Sequence, residues 1–153
     1  MNFKSIDDVV EFAIEREKEA VEFYEELSKD QQFVAARKSF EEFAGHERKH
    51  IKLLEDFSAD KAKLETYNFK WIPDLKRSDY MVETEYEKGM AYVDIIRIAM
   101  KREEHSLKLY NELREKADDE NVQKLFKILC QEEAKHKNIL ETIYDDYMAT
   151  LGD

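Results

Sequence analysis

The 153-residue sequence contains few of the residues that form turns and cross-links: it has three glycines, one proline and one cysteine. So few turn residues argue against a β-sheet protein, because its many hairpins need them. The single cysteine, Cys130, excludes an intrachain disulfide and a zinc or iron–sulfur site built from several thiolates. No apolar run approaches the ~18 residues of a membrane-spanning helix, and Met1–Asp8 lacks the basic and apolar stretches of a signal peptide. We therefore expect a cytoplasmic protein without a membrane partner.

Charge is what the sequence has in abundance. Charged residues make up 40% of the chain and hydrophobic residues 42%, a balance that suits long amphipathic helices. The net charge of −11 argues against nucleic acid and anionic membranes as partners. The length suits one domain, which we expect to span 1–153.

Four long segments carry apolar residues at alternating steps of three and four, which predicts four amphipathic helices. Asp30 is a candidate N-cap for the second helix, and Asp118 or Asp119 for the fourth. Six polar residues interrupt the apolar stripes at positions expected to face inward. They are Glu17, Glu47, His50, Glu103, Glu133 and His136. The alternative is that these residues lie on the solvent-exposed faces of charged helices.

The first half of the chain is repeated in the second half. A Glu-x-x-His unit begins at Glu47 and recurs at Glu133, 86 residues later, and another glutamate lies 30 residues before each unit. Without a gap, the two halves are identical at 13 of 37 positions. The compared segments are 8–28 with 94–114 and 40–55 with 126–141. This pattern indicates a tandem duplication of one helical hairpin, since a solenoid needs at least ~3 stacked units.

The predicted hairpins cover about 5–58 and 91–148, and a segment at 59–90 connects them. Pro73 and Gly89 interrupt the helical pattern there. A helix of ~26 residues is about 39 Å long, and a linker of ~30 residues can span that length. We therefore expect an all-α four-helix bundle with a long crossover between helices 2 and 3. A simple up-down-up-down bundle is the alternative, but it would not need so long a linker.

The six inward-facing polar residues are the ligands that two divalent cations need. Residues three apart on a helix project from nearly the same face, so each Glu-x-x-His unit presents an oxygen and a nitrogen together. All six lie near the middle of their predicted helices, which favours a common level. Four buried carboxylates would be strongly unfavourable without cations. Oxygen and imidazole ligands without sulfur indicate iron or manganese, with zinc as a possible substitute.

Two tyrosines follow the ligand pattern. Tyr24 and Tyr110 each lie seven residues after a candidate ligand, Glu17 or Glu103, and so on the same helix face about 10 Å away. Such a phenol could hold a carboxylate on a neighbouring helix or donate an electron or a proton. A role as an ordinary core aromatic is equally compatible with the position.

Three other reactive residues fit simpler roles. His46 and His105 are expected to face solvent because neither has a histidine at the equivalent position of the other repeat. Cys130 corresponds to Ala44 in the first repeat and is expected to be a small core residue.

With these motifs in all four helices, the chain resembles the rubrerythrin-like branch of the ferritin-like di-iron superfamily. The motifs that carry the resemblance are Glu17-Lys-Glu-Ala-Val-Glu-Phe-Tyr24, Glu47-Arg-Lys-His50, Glu103-Glu-His-Ser-Leu-Lys-Leu-Tyr110 and Glu133-Ala-Lys-His136. The resemblance implies a ferritin-like bundle with the crossover. It also implies a site of two iron ions and a reaction with hydrogen peroxide or O₂.

The chain departs from the rubrerythrin pattern at two points. One cysteine cannot form the four-cysteine site of a rubredoxin domain, so electrons are expected from an external donor such as a rubredoxin-type protein. Ser106 stands where rubrerythrins carry an additional carboxylate, so the resemblance does not extend to a peroxidase cycle that relies on that group.

The sequence leaves three functions open. The first is an oxidoreductase that reduces peroxide or O₂, and the second is a ferroxidase or iron-handling protein whose substrate is Fe²⁺. The third is a metal-stabilised bundle without turnover. For each of them a homodimer is the expected assembly.

Overall fold

Helices account for the regular secondary structure of the described residues. In this computed structural model the described residues are 6–30, 36–57 and 85–151. They contain no β-strand, which agrees with the predicted all-α class. The four helices are α1 Ile6–Lys29, α2 Arg37–Glu55, α3 Tyr92–Lys116 and α4 Glu120–Leu151. No helix in these described ranges is long and apolar enough to cross a membrane.

The first compact unit contains α1, α2 and the start of α4 at Asp119–Leu125. Tyr24 of α1 packs between two rings of α2, with centroids 6.3 Å from Phe40 and 5.3 Å from Phe43. Glu17 is nearer than Tyr24 to the N-terminus of α1. It contacts His50, which is nearer than Phe40 and Phe43 to the C-terminus of α2. Positions nearer the N-terminus of α1 thus contact positions nearer the C-terminus of α2. The two helices are therefore antiparallel, as expected of a helical hairpin.

The second compact unit contains α3 and the rest of α4 from Phe126. Tyr92 at the start of α3 packs edge to face on Tyr147 near the end of α4, with ring centroids 5.2 Å apart. Near the end of α3, Tyr110 stacks on Phe126 at 5.8 Å. α3 and α4 therefore also run antiparallel, and α4 continues to Leu151, beyond the expected limit of 148.

The predicted N-cap residue is confirmed for α4 but is wrong for α2. Asp119 Oδ1 accepts hydrogen bonds from the backbone N–H groups of Asn121 (2.7 Å) and Val122 (3.3 Å) and so caps α4. The prediction for Asp30 is wrong: the N-cap of α2 is Ala36, which makes no side-chain cap. The Asp30 N–H instead donates to Leu27 O at 3.2 Å, so this residue closes α1.

The described part of the predicted crossover, 85–90, contains a tight turn before α3. The Met90 N–H donates to Glu87 O at 3.2 Å, and Gly89 has a positive φ of 93°. A positive φ at the third position of a β-turn is the reason for glycine there. The rest of the crossover lies in 58–84, outside the described residues, and a single domain over 1–153 stays a prediction.

Candidate metal centre

The six polar residues that interrupt the apolar stripes are buried. None exposes more than 3% of its surface: Glu17 2%, Glu47 0%, His50 3%, Glu103 2%, Glu133 2% and His136 2%. Glutamate is almost never fully buried unless it is paired. Burial at all six positions excludes the alternative of a solvent-exposed face.

In the first unit, α1 supplies Glu17, and α2 supplies Glu47 and His50 one turn apart. His50 Nδ1 lies 3.4 Å from Glu17 Oε2 and 3.3 Å from Glu47 Oε2. One ligand atom from each of the three residues lies within 4.8 Å of the others. We call these three residues the first ligand set.

The second unit repeats this arrangement with α3 and α4. His136 Nδ1 lies 3.7 Å from Glu103 Oε1. One ligand atom each from Glu103, Glu133 and His136 lies within 4.8 Å of the others. These three residues are the second ligand set, and each is 86 residues after its counterpart in the first. In both sets the Nδ1 atom of the histidine lies within 4 Å of the glutamate on the other helix of the pair.

The composition of each set fits a divalent cation. A set holds two carboxylates and one imidazole, all buried. Several kcal/mol are lost for each carboxylate buried without a partner, and like charges in one place add repulsion. One divalent cation per set balances both carboxylates. Oxygen and imidazole donors without thiolate suit iron, manganese or zinc rather than copper(I) or an iron–sulfur cluster.

Tyr24 and Tyr110 lie in the core, each only 1% exposed. Their rings pack on Phe40 and Phe126, which are equivalent positions of the two repeats. This packing gives both tyrosines the structural role of core aromatics. Their additional role beside the ligand carboxylates stays a prediction.

The remaining residues singled out in the sequence take the simpler roles. Cys130 is buried, and burial raises the pKa of its thiol to about 11. Such a thiol is protonated and unreactive at neutral pH. His105 is exposed, as expected, whereas His46 is half-buried.

The sequence analysis missed three buried charged residues in the second unit: Glu104, Lys137 and Glu141. They are 8%, 3% and 0% exposed. Burial acts to raise the pKa of Glu104, but the ammonium groups of Lys101 and Lys108 hold that pKa below its ordinary value. Lys137 lies four residues after Glu133 on the same helix face, but this spacing is common in exposed pairs and did not predict that Lys137 is buried.

Comparison with known proteins agrees with this architecture. The sequence model of the family Rubrerythrin matches residues 8–144, which include all four helices except the ends of α1 and α4. No match is found among curated proteins or among solved structures. The family match confirms the predicted ferritin-like four-helix bundle. The chain therefore belongs to the rubrerythrin family, as a ferritin-like domain whose buried carboxylate and histidine residues are compatible with a di-iron site.

Proposed function

We propose that the protein is a non-haem di-iron oxidoreductase that reduces hydrogen peroxide or O₂ with electrons from a separate donor. The observation that carries the proposal is the burial of a carboxylate-rich ligand set in each repeat. Membership of the rubrerythrin family supports iron as the metal and a redox reaction as the function. Bound iron would supply the one-electron steps that a closed-shell metal such as zinc lacks.

The two ligand sets would each hold one ion and together form one dinuclear centre. Glu17, Glu47 and His50 would hold the first ion, and their counterparts Glu103, Glu133 and His136 the second. Four carboxylates balance the charge of two divalent cations, which makes the loaded centre neutral. The imidazole rings would bind through Nδ1, which lies 3.4 Å from Glu17 Oε2 in the first set and 3.7 Å from Glu103 Oε1 in the second.

The protein surroundings would serve the reaction in two ways. The aromatic rings that pack on Tyr24 and Tyr110 would help to exclude water from the reaction. The two phenol groups would hold carboxylate oxygens in position or pass a proton to them. Reduction of one peroxide to two waters consumes two electrons and two protons, and a rubredoxin-type protein is the donor class we propose. We also propose a cytoplasmic homodimer, with the whole chain as one domain.

Metal stoichiometry tests the site. Anaerobically purified wild-type protein should bind two Fe²⁺ ions per chain, measured by calorimetry and elemental analysis. Glu47→Ala and His136→Ala should each abolish binding of two ions. Glu42→Ala is the matched control, since Glu42 is exposed on the same helix as Glu47. Undiminished binding of two ions by both site variants would refute the ligand assignment.

Single-turnover kinetics separate the proposed reaction from the alternatives. Protein loaded with two Fe²⁺ should be oxidised by a slight excess of peroxide in one fast phase, then return to its starting spectrum on reduction. Repeated turnover with excess Fe²⁺ and growth of a ferric mineral would instead show a ferroxidase. A protein that retains zinc and never responds to peroxide or O₂ would be a structural bundle.

A further inference from the structure

Two tyrosines are in contact where α3 begins and α4 approaches its end. The rings of Tyr92, the first residue of α3, and Tyr147 of α4 lie edge to face, with centroids 5.2 Å apart. We call these two residues the tyrosine pair. Burial raises the pKa of the Tyr92 phenol, and the charge of the Tyr147 phenol raises it further, so the two hydroxyl groups influence each other. The Tyr92 phenol is therefore protonated at neutral pH.

The tyrosine pair lies on the helix faces that carry the second ligand set. Tyr92 precedes Glu103 by 11 residues, and Tyr147 follows His136 by 11 residues. Eleven residues make three turns, so each tyrosine lies on the face of its ligand and about 16 Å from it along the helix axis. Three positions between them on these faces are apolar and buried: Ile96 (1% exposed), Ala99 (0%) and Leu140 (0%). An aromatic side chain on a helix leans toward the N-terminus, which brings Tyr147 nearer to His136.

Access to water distinguishes the tyrosine pair from the tyrosines of the core. A phenol that gives up an electron must also release its proton. Tyr24 and Tyr110 are each only 1% exposed, so bulk water does not reach them to take that proton. Tyr92 and Tyr147 are half-buried, and water can accept a proton from each. The pair is therefore better placed than the core tyrosines to lose electrons.

Tyr144, one turn before Tyr147 on α4, has a cation beside its ring. The Arg97 guanidinium lies 5.7 Å from the centre of that ring. A hydrogen bond with Tyr144 raises the pKa of Arg97, so the guanidinium stays charged. A positive charge beside a ring opposes the loss of an electron from it. Tyr144 is thus a matched comparison for the pair: it has similar exposure but is harder to oxidise.

We propose that the tyrosine pair is an oxidation sink: when peroxide reacts at the iron centre and no external donor is present, the pair supplies two electrons and is joined as dityrosine. This inference rests on the proposed function. A carbon–carbon bond forms between ring carbons beside the two hydroxyl groups, and each ring loses one hydrogen atom as an electron and a proton. One peroxide takes up the two electrons and two protons and becomes two waters. Iron at the centre would supply the one-electron transfer.

Peptide mapping by mass spectrometry tests the sink. Iron-loaded protein is treated with excess peroxide without a donor. It should yield one pair of peptides joined through Tyr92 and Tyr147, lighter by two hydrogen atoms and with dityrosine fluorescence. Tyr92→Phe and Tyr147→Phe each keep the ring packing and should lose this product, whereas the control Tyr144→Phe should retain it. Oxidation spread evenly over Tyr86, Tyr144 and the pair would overturn the proposal.

A second comparison shows whether iron at the centre is responsible. Glu47→Ala, treated with peroxide and the same total iron, should lose the product because it lacks a metal ligand. Glu42→Ala changes an exposed residue of the same helix and should retain the product. Equal yields from Glu47→Ala and the wild type would show that dissolved iron oxidises the pair, which would overturn the sink.

Oxidation without iron separates this inference from the proposed function. Metal-free protein, illuminated with ruthenium tris(bipyridyl) and persulfate as a one-electron oxidant, should form the same link between Tyr92 and Tyr147. Absence of the link here would overturn the sink and leave the proposed function untouched. A link here but none with peroxide, in protein whose bound iron is oxidised by peroxide, would also overturn the sink alone. Bound iron that never responds to peroxide would overturn the proposed function, and the sink with it.

Discussion

Replacing Glu47 by glutamine keeps the shape of the side chain and removes one negative charge from the first ligand set. We expect this change to have opposite effects on the metal-free and the metal-loaded protein. The metal-free protein should become more stable because a repulsion is relieved. The loaded protein should become less stable because a ligand is lost.

The size of the first effect follows from the burial of Glu47 and its distance from Glu17. Glu47 is 0% exposed, and its candidate ligand oxygen lies within 4.8 Å of that of Glu17. Two like charges at this separation repel by about 3.5 kcal/mol at an effective dielectric constant of ~20. Burying the glutamine amide offsets about 1–3 kcal/mol of that gain. We expect a net stabilisation of about 1–2 kcal/mol, which raises the melting temperature of a 150-residue domain by about 2–8 °C.

The stability of the metal-loaded protein should decrease instead, because metal binding is linked to folding. A ligand present at 100 times its dissociation constant stabilises the folded state by ~2.7 kcal/mol per site. Glu47→Gln should lose most of that stabilisation at the first set. The difference in melting temperature between loaded and metal-free protein should therefore shrink well below that of the wild type.

Differential scanning calorimetry with and without Co²⁺ measures both effects on the same samples. Glu42→Gln is the control, because Glu42 lies on α2 and is exposed. This control should change the free energy of unfolding by no more than ~0.5 kcal/mol, with or without metal, and so leave both melting temperatures nearly unchanged. The electrostatic reasoning is refuted if metal-free Glu47→Gln melts at or below the control while still gaining full stabilisation from metal.

Five further experiments have expected outcomes. Removing metal from the loaded protein with a chelator should lower its melting temperature, and equal values for the two forms would contradict the linkage. Phe40→Ala should cost about 3–5 kcal/mol in a denaturant titration, because this fully buried ring (0% exposed) stacks on Tyr24. Cys130, with its pKa raised to about 11, should react with iodoacetamide at pH 8 about 100-fold more slowly in folded than in unfolded protein. Gly45→Ala within α2, where an added methyl group meets nothing within 4 Å, should stabilise by about 0.5–1 kcal/mol. The same change at Gly89 should destabilise by about 1 kcal/mol or more, because its φ of 93° is unfavourable for alanine.

Helical periodicity explains why the burial of the ligands could be predicted from the sequence. Glu17 and Glu47 occupy positions of the three-and-four pattern that otherwise hold apolar residues, so the pattern itself places them inward. The repeat then assigns Glu103 and Glu133 by a constant offset of 86. The structure finds all four glutamates buried, as this reasoning requires.

The burial of Lys137 and Glu141 could not be predicted in the same way. In a chain with 40% charged residues, a lysine and a glutamate four apart on a helix usually form an exposed pair. Only the packing around the second half of α4 reveals that both are buried. The start of α2 was missed for a related reason, since Asp30 suits both the end of one helix and the start of the next, and its N–H bond to Leu27 O decides for the end.

Each ligand set is closed by a single hairpin, and this has a consequence for biosynthesis. The most distant members of a set, Glu17 and His50 or Glu103 and His136, are 33 residues apart in the chain. Such local pairs assemble early because little loop-closure entropy opposes them. The ribosome adds ~5–20 residues per second, so the 86-residue offset makes His50 available about 4–17 s before His136. During that interval the nascent protein carries only the first ligand set, so a first metal ion would meet a complete set of three ligands before the second set has been synthesised.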